Sequence, residues 1–102
     1  MKRKTPSLTF AVVGAGMVGT AIGFLLQKSG HSITAVADLS DAHLKRASSY
    51  IRSPGFRHPS EAAARADCVL ITTPDDRILS ACGEIAAGSN VKGKKVFHMS
   101  GA

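Results

Sequence analysis

The chain has 102 residues, of which 44% are hydrophobic and 20% charged, with a formal net charge of +6. That length allows one domain, and no apolar stretch approaches the roughly 20 residues that cross a bilayer. The positive charge is scattered over residues 2–4, 45–46 and 92–95, with one Tyr and no Trp, which reads as solvated tails and turns rather than a nucleic-acid-binding stripe.

Residues 1–7 form a flexible leader, and Lys2-Arg3-Lys4 runs into Thr5-Pro6-Ser7 instead of the apolar core of a signal peptide. Leu8 to Val13 is a nearly continuous apolar run ending at glycine, the pattern of a strand buried on both faces. Met17 to Ser29 reads as a helix with Val18, Ala21, Ile22, Leu25 and Leu26 at helical spacing, closed by Gly30 as a left-handed cap. Ser32 to Ala37 is a second strand, ended by Asp38. Ser40 or Asp41 caps a second helix running to about Arg52, which Ser53-Pro54-Gly55 stops. A brief third strand is expected at 56–58 and a short Ala-rich helix from Ser60-Glu61 through Arg65. Cys68 to Thr73 is a β-branched, apolar strand closed by Pro74. Asp75 caps a helix to about Ala87, residues 88–95 turn, and Val96 to Met99 is the next strand. Strands alternating with helices imply βαβ units, hence an α/β fold with a doubly wound parallel sheet, cut off after about five strands. Cys68 and Cys82 show neither metal spacing nor CxxC; they read as small core residues of a reducing compartment, which places the protein in the cytoplasm.

The turn Gly14-Ala15-Gly16-Met17-Val18-Gly19 is a GxGxxG motif in its informative context, after an apolar strand and opening a helix. Gly14 permits the sharp turn, Gly16 lets a diphosphate approach the backbone, and Gly19 lets the helix pack on the strand. The helix N-terminus then offers free amides and partial positive charge to phosphates. The plainer reading is a tight strand-to-helix turn with no ligand. Asp38 follows Gly14 by 24 positions and ends the second strand, where a carboxylate accepts hydrogen bonds from an adenosine ribose. The plainer reading of Asp38 is a turn or capping residue. A 2′-phosphate would meet like charge there, and Leu39 and Ser40 stand where an NADP site usually places Arg. NAD is therefore favoured over NADP, although Lys45 or Arg46 of the next helix can fold back toward that corner.

Residues 11–21 resemble the cofactor domain of the 6-phosphogluconate dehydrogenase-like superfamily, which includes pyrroline-5-carboxylate reductase and F420-dependent NADP reductase. Residues 70–78 and 96–102 are similar to Rossmann-like oxidoreductases that carry a helical C-terminal domain of unknown function (the DUF2520 group). The resemblance covers residues 8–102. It implies a Rossmann-type NAD(P)-binding domain, with the substrate-binding domain, through which the full-length protein forms a homodimer, lying outside this chain. Members typically carry Asn/Ser-Arg-Ser/Thr where this chain has Asp38-Leu39-Ser40. By the same resemblance, the loops at Thr72-Thr73-Pro74 and Ser100-Gly101 flank the nicotinamide.

His98 and Ser100 are two apart and so share one face of a strand. Ser100 is a candidate to hydrogen-bond substrate or the nicotinamide amide, and His98 to position it or exchange protons; a buried histidine followed by a turn serine is the plainer account. Asp75 and Asp76 read as helix caps. His31, His43 and His58 have no evident partners and read as surface or turn residues. The expected function is hydride transfer between a nicotinamide cofactor and a small organic substrate; imines, 2-hydroxy acids and larger alcohols all fit. The competing expectation is a nucleotide-sensing module of the potassium-transport type, without catalysis. A methyltransferase is disfavoured by Gly19, since its turn needs no such close helix–strand contact.

Overall fold

The computed structural model describes residues 9–72 and 95–98. Five strands, β1 (Thr9–Val13), β2 (Ser32–Ala37), β3 (Gly55–Phe56), β4 (Cys68–Ile71) and β5 (Lys95–His98), alternate with three helices, α1 (Met17–Lys28), α2 (Asp41–Ala47) and α3 (Pro59–Ala63). All neighbouring strands are parallel, in the order β3-β2-β1-β4-β5. The expected elements within the described residues are present, with bounds shifted by a few residues: α2 ends at Ala47 rather than near Arg52, and β3 sits at 55–56. The expected helix at 75–87 lies outside the described residues.

Parallel strands are covered on both faces, and their side chains alternate accordingly. Ala11, Val13, Val69 and Ile71 face one core, which α3 closes with Ala62 and Ala63. Phe10, Val12, Cys68 and Leu70 face the other, closed by Ala47 and Ile51 and flanked by Ile22, Leu26 and Leu44. The alternation slips once. Phe10 pairs with Ile33 but Ala11 pairs with Ala35, leaving Thr34 as an inserted residue. The bulge turns Ile33 to the same face as Val36, while Ala35 and Ala37 take the opposite one. Thr34 uses its hydroxyl to donate to Arg65 O at 2.7 Å, tying the bulge to the segment after α3.

The buried face of α1 differs from the expected stripe. Gly19, Thr20 and Gly23 face the sheet, whereas Val18 and Leu25 are 48% and 60% exposed and Ala21 is exposed. Sequence spacing alone favours the larger apolar side chains, but the two glycines, four apart, let the helix axis come nearer the sheet than any side chain would. A Cβ at Gly23 would stand 2.5 Å from Ile51 Cδ1. The chain after α2 is clamped to α1 by a reciprocal amide pair: Gln27 Nε2 donates to Arg52 O (2.9 Å) and Arg52 N–H donates to Gln27 Oε1 (3.2 Å). Gly30 ends α1 with φ 99°, the left-handed cap its residue type serves.

Ile51 fills the space that Gly23 leaves and is fully buried. Ile51→Ala is expected to cost about 3 kcal/mol, read as a lower urea midpoint at an unchanged m-value.

Candidate functional site

In a sheet of this order, the crevice for a ligand opens at the carboxyl ends of the strands where successive connections leave toward opposite faces. Here that point lies between β1 and β4: the chain leaves β1 for α1 on one face and reaches β4 from α3 on the other. The glycine turn stands there.

The turn's glycines answer to different demands. Gly14 has φ 109°, a conformation side chains rarely adopt, and donates its N–H to Ala37 O at 2.7 Å. Gly19 is required by packing: an added Cβ would run into Gly14 O and sit 2.6 Å from Thr72 Oγ1. Gly16 answers to neither. It has an ordinary extended conformation (φ −72°, ψ −164°), and nothing lies within 4 Å of where a Cβ would project. The bend is therefore open at Gly16, and the space is bounded by the first turn of α1. No side chain caps that helix and its first turn carries no acid, so its leading amides keep their donors for something else. By contrast α2 is capped, with Ser40 Oγ accepting from His43 N–H at 3.2 Å and Asp41 in its first turn.

Asp38 faces the turn. Its Oδ2 accepts the Ala15 N–H (2.7 Å) and its Oδ1 accepts the Ser40 N–H (2.7 Å). The carboxylate is thus a turn residue, in line with the plainer reading, and it stands at the bend. His43 is a correction: it is no partnerless surface histidine, for its Nδ1 lies 3.1 Å from Asp38 Oδ2. Leu39 is exposed, and its carbonyl accepts from Arg57 Nη2 at 3.3 Å. The cation at this corner comes from just beyond β3. Arg46, one of the two α2 side chains able to fold back toward this corner, instead lines a groove with Met17, Phe24 and Tyr50 beside α1. No pattern within α2 signals Arg57, because the contact spans 18 residues and forms only through the β2–β3 pairing.

Thr72 follows β4 and braces the bend. Its N–H donates to Val13 O (2.8 Å), and its hydroxyl lies 2.7 Å from Gly14 O. Met17 is 79% exposed beside the bend. Thr73, Pro74 and Ser100 lie outside the described residues, as does the side chain of His98, whose backbone pairs with Ile71 at the end of β5. Cys68 is buried and free, and Cys82 lies outside the described residues. His31 packs its ring edge-on against Phe10 rather than standing free. Among the described residues there is no group of three or more metal-ligating side chains, and no helix long and apolar enough to cross a membrane.

A doubly wound parallel sheet with an open glycine turn at its switch point and an acid after β2 defines the class of Rossmann-like dinucleotide-binding domains. The chain belongs to the Rossmann-like domain family, whose profile matches residues 2–102. It is 34% identical over 88 aligned residues to glycerol-3-phosphate dehydrogenase (NAD(P)+) of Bradyrhizobium sp., an alignment covering 76% of this chain and 27% of the relative. Among solved structures it is similar to an NADP oxidoreductase of Bacteroides fragilis, with TM-score 0.82 and 16% identity over 93% of this chain and 37% of that one. It is also similar to prephenate dehydrogenase from A. aeolicus in complex with NAD+, with TM-score 0.79 and 14% identity over 96% of this chain and 35% of that one. The chain thus spans 27% to 37% of the length of these relatives. All three are oxidoreductases named with a nicotinamide dinucleotide.

The unequal surroundings of the glycines make a stability prediction. Gly16→Ala is expected to change folding stability by less than about 1 kcal/mol, whereas Gly19→Ala, which presses on backbone, is expected to cost about 2 kcal/mol or more. Thermal unfolding of the two variants side by side checks the contrast.

Proposed function

We propose that this chain is the cofactor-holding domain of an oxidoreductase that transfers hydride between a nicotinamide dinucleotide and a small organic substrate. The observation that carries the reading is Gly16, the N-cap of α1, where neither a positive φ nor a packed neighbour demands glycine, beside uncapped helix amides. A diphosphate against that backbone supplies the missing reason: it needs the room a Cβ would take, and it satisfies the amides. The adenosine ribose then reaches Asp38, which favours NAD over a cofactor bearing a 2′-phosphate.

A bound nicotinamide supplies the hydride chemistry. The chain's own part is to bind, orient and exclude water. Thr72, by holding Gly14 O, fixes the bend against β4, and the loop continuing through Thr73 and Pro74 is proposed to flank the nicotinamide ribose. Ser100, and behind it His98, is proposed to stand on the substrate side. The signatures at 70–78 and 96–102 support placing the chain with the oxidoreductases of the 6-phosphogluconate dehydrogenase-like superfamily that carry a helical second domain. That second domain would complete the substrate pocket and form a dimer.

Titration of NADH and NADPH fluorescence tests the reading. Both cofactors are expected to bind at micromolar strength or weaker, NADH more tightly. Gly16→Val is expected to weaken both at least about tenfold, or 1.4 kcal/mol, while the variant still unfolds cooperatively with a melting temperature lowered by only about 5–10 °C. A flat titration with both cofactors overturns the proposal.

A further inference from the structure

Resting on that reading, we infer that His43 is a specificity-determining residue, and that it sets how strongly the Asp38 corner prefers NAD over NADP. The inference comes from how the carboxylate is already occupied. An ionised carboxylate only accepts hydrogen bonds, at about four lone-pair positions. Asp38 Oδ2 takes two donors, the Ala15 N–H and the His43 ring nitrogen, and Oδ1 takes the Ser40 N–H. Since the carboxylate has no hydrogen to give, Nδ1 of His43 carries the hydrogen between them.

Two of these donors are backbone groups fixed by the turn and by α2. The third is a side chain that is 44% exposed, against 15% for Asp38. His43 alone of the three can be removed without disturbing the bend. While it stays, one acceptor position is left on Asp38, and the two neighbouring hydroxyls of a ribose cannot both be taken by the carboxylate. The ring N–H also points its positive end at the carboxylate, so a 2′-phosphate would meet a less bare acid. Both effects act in the same direction: His43 weakens the grip on the NAD ribose and softens the repulsion of NADP.

The other charged groups of the surrounding described elements are Asp41, Lys45 and Arg46 on α2 and Arg57 beyond β3; the glycine turn has none. Of these, Arg57 is tied to the Leu39 carbonyl. It leaves a cation on the side a 2′-phosphate would occupy, independent of Asp38.

The measurement is the ratio of dissociation constants, NADPH over NADH, by fluorescence titration of the wild-type chain, His43→Ala and His43→Gln. Removing the ring is expected to raise the ratio about tenfold, the scale of one charge-assisted hydrogen bond, with NADH bound more tightly and NADPH less. His43→Gln, which restores an N–H donor, is expected to bring the ratio back toward wild type. A purely structural role would weaken both cofactors equally and leave the ratio unmoved. An unchanged ratio in His43→Ala, with wild-type binding intact, overturns this inference and leaves the reading of the site standing. Failure of the wild-type chain to bind either cofactor overturns both.

Discussion

The hydrogen bond from the Ala15 amide to Asp38 joins the two parts of the site that sequence separates by 23 positions. Without it, the glycine turn after β1 and the end of β2 would be held together only by strand pairing and the Gly14 amide. With it, a charged group fixes the bend from the end of β2. The carboxylate is mostly buried, and burying a charge is costly unless it is well paired. Two backbone amides and an imidazole pair it, and it lies near the leading ends of α1 and α2, where the helix dipoles favour negative charge. Asp38 thus holds the fold at this corner by the same charge that the proposed ribose contact would use.

That double use separates stability from function more clearly at the glycines than at the acid. Gly14 is explained by its backbone angle, Gly19 by the closeness of Gly14 O and Thr72, and Gly23 by the closeness of Ile51. Each costs helix or chain entropy that packing offsets. Gly16 has no such return within the protein. Its N-cap position tolerates glycine but does not require it, so the proposed diphosphate contact adds a reason that packing does not. The same reasoning applies to the two helix starts on this edge of the sheet, since α2 is capped by its own serine and α1 is left uncapped.

Most of the fold was legible because the signals of the central strands β1, β2 and β4 are strong: short apolar runs, largely buried, ended by glycine, aspartate or proline. The turn and its acid were legible because both sit at strand ends, where the period-two pattern stops. The face of α1 was half legible: Ile22 and Leu26 pack against the core as their spacing suggested, but Gly19, Thr20 and Gly23 sit deeper, because close helix contact ranks residues by smallness and apolar spacing by size. The bulge at Thr34 left no mark, since Ser-Ile-Thr-Ala-Val-Ala alternates plausibly in either register. His43 and Arg57 were missed for a related reason. Their contacts to Asp38 and Leu39 depend on how α2 and β3 sit beside the end of β2, which no local pattern encodes.

Those two residues change how the corner's preference should be understood. An acid after β2 suggests exclusion of a 2′-phosphate by like charge. Yet specificity is a difference between two affinities, and it depends on what remains of that charge after its neighbours have acted. A carboxylate holding three donors, with a guanidinium tied nearby to Leu39 O, presents less repulsion than a bare one. Exposed charges are also screened by salt and solvent, so what Arg57 contributes is smaller than its proximity suggests. If the proposed site holds, the balance is therefore shallow: Asp38 would give the corner its sign, and the side chains near it from α2 and beyond β3 would give it its size.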